Sequence, residues 1–119
     1  MHVYAERVKD TSTTTGTGSI TVSGTPASTY QTLSAVLAVN DMFEYVIEHT
    51  TANEWEVGLG TYSSSNVFAR TQVYASSNAG AAQSFAAGTK NVMMVLSARD
   101  YPLIGEIVAL ATMNALAFQ

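Results

Sequence analysis

Met42-Phe43-Glu44-Tyr45-Val46-Ile47-Glu48, a polar break at His49-Thr50-Thr51-Ala52-Asn53, and then Glu54-Trp55-Glu56-Val57-Gly58-Leu59-Gly60-Thr61-Tyr62 decide the fold class. Both runs carry the period of two that puts successive side chains on opposite faces of a strand. Phe43, Tyr45 and Ile47 share one face of the first, with Glu44, Val46 and Glu48 on the other. In the second, Trp55, Val57 and Leu59 form the apolar face, which makes Trp55 a core anchor, with sugar stacking as the alternative. Glu54, Glu56, Gly58 and Gly60 then fall on the opposite, solvated face. Two glycines on one strand face leave room for a bulge, another strand or a neighbouring subunit, and a bulge within the domain is the preferred reading.

Working outward, Ser63-Ser64-Ser65-Asn66 turns the chain into a third strand over residues 67–75, and three strands with short connections form an antiparallel meander. Upstream, residues 30–36 alternate and stop at the turn pair Asn40-Asp41, which predicts a further strand. The low-complexity run Asp10-Thr11-Ser12-Thr13-Thr14-Thr15-Gly16-Thr17-Gly18-Ser19 resembles a linker in composition. Branched Thr favours extended backbone, however, and Val8 and Ile20 bracket the run, so a strand bent at Gly16 and Gly18 is expected. Downstream, Ser76-Ser77-Asn78-Ala79-Gly80 breaks the pattern and Phe85 begins a short extended piece. Ala87-Gly88-Thr89-Lys90 turns, and residues 91–97 make an apolar strand. The expected architecture is an all-β, antiparallel sandwich or barrel with a meander core over residues 1–98, followed by an apolar C-terminal extension over 99–119.

Composition bounds the function. The 119 residues carry 5 Lys+Arg against 9 Asp+Glu, a net charge of −4, so clustered cations for nucleic acid are lacking. With 47% hydrophobic and only 12% charged residues there is apolar material for a core. Ser and Thr together number 27, a share that a sheet of branched and hydroxylated side chains accommodates. Cysteine is absent, which excludes disulfides, thiolate metal sites and a Cys nucleophile. The opening Met1-His2-Val3-Tyr4-Ala5-Glu6 has neither the basic start nor the apolar run of a secretory signal.

Residues 103–119 differ from everything before them. Glu106, Thr112 and Asn114 are the main polar interruptions, and on a helical wheel the apolar residues cover nearly the whole circumference. The stretch is short for a membrane span and contains a Gly, a Glu and an Asn, so no membrane partner is expected. A β domain of this size has little interior left for it. The expectation is an interface with another copy or a partner protein, as helix or exchanged strand, carried by Leu103, Ile104, Ile107, Val108, Leu110, Met113, Leu116 and Phe118.

Chemistry-bearing residues are sparse. His2 and His49 show no metal-ligand spacing and are expected as exposed, solvated imidazoles. Glu54 and Glu56 project from one face, with Glu44 and Glu48 on the strand before. Such carboxylates serve glycoside hydrolysis or Ca²⁺ binding in other contexts, yet a solvated sheet face carries Glu without either. No nucleophile elbow exists, and Gly16-Thr17-Gly18 lacks the remaining spacing of a phosphate loop. No catalytic residue, metal site or cofactor is assigned.

Glu6-Arg7-Val8-Lys9-Asp10-Thr11-Ser12-Thr13-Thr14-Thr15-Gly16-Thr17-Gly18 resembles the opening of a small β domain of tailed-bacteriophage virion proteins. Glu54 to Tyr62, the turn from Ala75 to Gly80, and Phe85-Ala86-Ala87-Gly88-Thr89-Lys90-Asn91-Val92 resemble the same family, in its order and approximate spacing. The resemblance implies a virion structural role without catalytic residues. It leads to the expectation of a non-enzymatic capsid decoration (cement) or head-fibre protein on the virion surface. A homo-oligomer is expected, with a trimer favoured because decoration subunits often occupy local threefold positions of icosahedral shells. The partner would be the major capsid protein; the alternative is a tail or tail-fibre adaptor among tail proteins. A host-polysaccharide-binding module is the third class. The apolar extension in place of a long distal fibre domain suggests a compact subunit with its C-terminal segment free to dock.

Overall fold

The computed structural model describes residues 1–25 and 28–99. It is nearly all β, with six antiparallel strands in a nearly closed, barrel-like sheet. The strands are β1 (Lys9–Ser12), β2 (Ile20–Thr21), β3 (Met42–His49), β4 (Trp55–Ser64), β5 (Val67–Ser76) and β6 (Lys90–Met94), with one helical turn, α1 (Leu33–Val36). Their order in the sheet is β1-β6-β3-β4-β5-β2. The meander β3-β4-β5 lies at its centre as expected.

The core forms inside the barrel from Phe43, Tyr45 and Ile47 of β3, Tyr62 of β4, Phe68 of β5 and Val92 of β6, all buried. Phe43 and Phe68 meet edge to face with centroids 5.1 Å apart, the arrangement favoured by ring quadrupoles.

One predicted strand is a correction. Residues 30–36 contain α1 rather than a strand, because a single helical turn brings Leu33 and Leu37, four apart, to the same side. The Leu37 amide donates to the Leu33 carbonyl at 2.9 Å, and both side chains are buried in the core. The expected alternation is incomplete, with Gln31-Thr32 and Ala35-Val36 breaking it, and the core contact decides the local structure.

The Ser/Thr-rich run closes the barrel. β1 and β2 are the two ends of the sheet and do not pair as strands. Side-chain hydroxyls, one backbone bond and the Asp10 carboxylate do the joining instead. Ser12 Oγ donates to the Thr21 carbonyl at 2.6 Å, and the Thr21 amide donates to Thr14 Oγ1 at 3.0 Å. The Ser23 amide donates to the Thr11 carbonyl at 2.8 Å. Asp10 Oδ1 accepts from the amides of Thr11 and Gly24 and from Ser23 Oγ. The chain bends at Gly16, where φ is +82° and a side chain would be strained.

Candidate functional site

The register of β3 on β4 pairs Phe43 with Gly60, Tyr45 with Gly58 and Ile47 with Glu56. Directly opposed residues share a face, so Glu56, Gly58 and Gly60 point into the barrel. Trp55, Val57 and Leu59 point out. The two faces of β4 are therefore inverted relative to the expectation, and Trp55 is 39% exposed rather than a core anchor. The expected bulges are present, with register shifts between Val57 and Gly58 and between Leu59 and Gly60.

Glu56 is the centre of what the inversion buries. Its Oε1 lies 2.9 Å from Arg70 Nη1 of β5, with the two side chains 0% and 3% exposed. The Gln83 amide donates to the same Oε1 at 2.7 Å, and Tyr45 Oη donates to Oε2 at 2.6 Å. Burial first, and then its bond to the carboxylate, raise the Tyr45 phenol well above its ordinary value and keep it protonated. Arg70 reaches further. Its Nε donates to the Gly18 carbonyl at 3.0 Å, Nη2 to the Gly16 carbonyl at 2.8 Å, and Nη1 to the Gln83 carbonyl at 2.9 Å. The guanidinium also lies 5.7 Å from the centroid of the Phe85 ring. One planar, five-donor fork thus fastens the glycine bend and the loop after β5 to a buried carboxylate.

Glu54 holds the same loop from the position just before β4. Its Oε1 accepts from the Ala86 amide at 2.9 Å and its Oε2 from Gln83 Nε2 at 3.4 Å. Glu44 lies on the outer face, away from Glu56, and is buried by chain laid over it. Tyr4 Oη donates to its Oε1 at 2.9 Å and the Ser97 amide to its Oε2 at 3.3 Å. Glu48 is exposed and opposes Trp55. The four carboxylates do not converge.

The histidines divide. His2 is exposed and stacks on Tyr4. His49 is buried, contrary to expectation. Its Nδ1 accepts from the amides of Thr51 at 3.1 Å and Ala52 at 3.0 Å, which assigns the ring proton to Nε2, 2.9 Å from the Ala87 carbonyl. The ring therefore ties the β3–β4 turn to the loop before β6. A Cβ on Gly88 would come 2.9 Å from His49 Cε1.

Lys90, expected only as a turn residue, is buried at the start of β6 opposite His49 and Ser12. Nζ donates to the Gly88 carbonyl at 2.8 Å. Burial lowers its pKa from the ordinary 10.5, with Glu54 pulling weakly the other way. The folded state therefore disfavours the ammonium. That cost is complete below the folded pKa and disappears as pH rises to the unfolded value. Stability is expected to climb with pH through the window below 10.5, and Lys90→Met to flatten that climb, as read from urea midpoints across pH. Tyr45 sets the upper limit of the measurement. With its folded pKa raised, its contribution is lost above the ordinary 10.0, where only the unfolded chain ionises.

Among the described residues no group of three or more His, Cys, Asp or Glu is placed to hold a metal ion, and no helix is long and apolar enough to cross a membrane. Leu103, Ile104, Ile107, Val108, Leu110, Met113, Leu116 and Phe118 lie outside the described residues. What sequence reasoning missed was Arg70 and the inward Glu56. No family model, curated protein or solved structure matches the chain.

Proposed function

We propose that this chain is a non-enzymatic structural subunit of a tailed-bacteriophage particle, a homo-oligomeric capsid decoration (cement) or head-fibre protein docked on the major capsid protein. The observation that carries this reading is convergence. The four stretches that resemble the phage domain are scattered over the sequence, yet they meet around one buried ion pair. The first supplies the Gly16 and Gly18 carbonyls, and the second supplies Glu54 and Glu56. The third supplies Ser77, whose amide donates to the Trp55 carbonyl and whose hydroxyl donates to Gln83. The fourth supplies Phe85, bridged to Gly16, and Ala86.

The chemistry of that centre supports a scaffold. Glu56 is fully buried, with Oε1 taken by Arg70 and the Gln83 amide and Oε2 by the Tyr45 hydroxyl, so the carboxylate presents no open edge to a substrate. A pre-built barrel stabilises a shell by binding its assembled state in preference to free capsomers, with area buried across their junctions.

The test is binding of purified chain to emptied, expanded heads and, separately, to purified tails of a phage that encodes it. Saturable binding to heads, at copy numbers on the order of hundreds set by shell symmetry, with a raised head melting temperature, is expected. Binding to tails alone in a handful of copies would overturn the decoration reading in favour of a tail adaptor. Turnover of host polysaccharide would overturn it in favour of an enzyme.

A further inference from the structure

From Trp55 to Leu59 the outer face of β4 is apolar, where an antiparallel sheet facing water carries polar side chains, as it does further along at Thr61 and Ser63. Trp55 is exposed, with Val57 and Leu59 half-buried beside it. Val46 of β3 is the register partner of Val57, and Ala75 of β5 is its partner on the other side. A groove of about 520 Å³ lies here, lined by Val57, Tyr74 and Ala75 and by residues 97–99.

Those last residues show where the chain goes. The Val95 amide still bonds the Glu44 carbonyl at 3.0 Å, extending the β3–β6 ladder, and the chain then turns over the outer face, where the Ser97 amide donates to Glu44 Oε2. The Arg99 guanidinium then sits 4.5 Å from the centroid of the Tyr74 ring. The polypeptide reaches the groove at Arg99, four residues before the start of the apolar stretch 103–119, in which Glu106 is the single charged side chain.

We propose that this groove on β4 and β5 seats residues 103–119 of a second copy of the chain, so that neighbouring subunits of the oligomer are joined through it. The inference rests on the homo-oligomer in the function proposed above and names the surface that builds it. The choice of a second copy over the chain's own segment follows from the distribution of apolar residues. A sheet face covers one side of whatever lies on it, and residues 103–119 are apolar around nearly their whole circumference. Seated on one barrel, the segment would still show oily side chains to water. Shared between two barrels, it has two opposite sides covered and shows far less.

Photo-crosslinking of the full chain tests this. A benzophenone amino acid replaces exposed Ala75, and this chain is co-refolded with isotopically heavy wild type. Light-to-heavy crosslinks that map to residues 103–119 are expected. Crosslinks confined to the light chain's own 103–119, crosslinks to any other region, or none at all would overturn the proposal. Val57→Asp supplies a second measurement, with near-ultraviolet circular dichroism to confirm the fold. It is expected to weaken self-association roughly 30-fold or more, as loss of a buried interface anchor does. An oligomer of unchanged mass and affinity would overturn the proposal. Head binding is scored separately: oligomers that ignore heads sink the decoration role alone, and monomers that bind heads sink this inference alone.

Discussion

Arg70→Met is expected to lower the unfolding free energy by about 3–5 kcal/mol, the cost of leaving a buried carboxylate without its counter-ion. Glu56 is fully buried and keeps only the Tyr45 hydroxyl and the Gln83 amide once the guanidinium is gone. The same substitution removes three carbonyl contacts, to Gly16, Gly18 and Gln83. The damage should therefore be regional as well as global. Amide exchange around residues 14–19 and 77–86 is expected to accelerate beyond what the change in global stability explains. Glu56→Gln should cost less, because the amide oxygen still accepts from the Gln83 N–H and the buried Arg70 cation it leaves keeps three carbonyl acceptors, whereas the Glu56 anion keeps none of its charge partners in Arg70→Met. The double variant Glu56→Gln/Arg70→Met should cost less than the sum of the two, since each single change exposes a partner the other removes. Urea unfolding of the four chains measures all of this. A loss below about 1 kcal/mol for Arg70→Met would mean that the pair is solvated and unimportant.

How much of this could be read from the residues turns on one position in a loop. The three meander strands, their order and a bulge beside the glycines were legible from alternation and turn residues. The inside and outside of β4 were not. The sequence suggests a five-residue break at His49 to Asn53. In the structure the His49 amide bonds the Glu54 carbonyl, so the closing pair is His49 and Glu54 with only residues 50–53 between. A one-residue change in register moves every side chain of a strand to the other face. Polarity alone favours Trp55, Val57 and Leu59 as the buried set, and polarity loses because Phe43 and Tyr45 need empty space opposite them. Gly58 and Gly60 provide that space and carry the neighbouring Glu56 inside with them. Arg70 was invisible for a related reason: a lone cation on a half-polar strand gives no sign that its partners lie in a glycine bend far away in sequence. The Ser/Thr run was legible as extended chain, but its part in closing the barrel belongs to tertiary structure.

The aromatic-over-glycine arrangement gives the second large effect, and it separates two glycines that look equivalent in sequence. Gly58→Ala is expected to destabilise by about 3 kcal/mol or more, the upper end of overpacking penalties. An added Cβ there would overlap the Gln72 carbonyl oxygen, which is backbone of the paired strand and cannot step aside without shifting β5. It would also lie 2.8 Å from Tyr45 Oη, pushing the phenol off the Glu56 carboxylate and linking the clash to the ion pair. Gly60→Ala meets only ring carbons, Phe68 Cδ2 at 3.0 Å and Phe43 Cε1 at 3.1 Å. Rings can tilt by a few tenths of an ångström, so about 1–2 kcal/mol is expected there. Chemical denaturation of the two variants compares them directly, and Tyr45→Phe in the Gly58→Ala background isolates the phenol. Removing the hydroxyl costs the wild type an acceptor's partner at Glu56, about 1–3 kcal/mol, but relieves part of the overlap in the variant, so the two changes should be less than additive. If Gly58→Ala proved as mild as Gly60→Ala, the close approach of β5 to β4 at the bulge would be wrong, and with it the physical reason that this strand turns its glycines, and Glu56, toward the core.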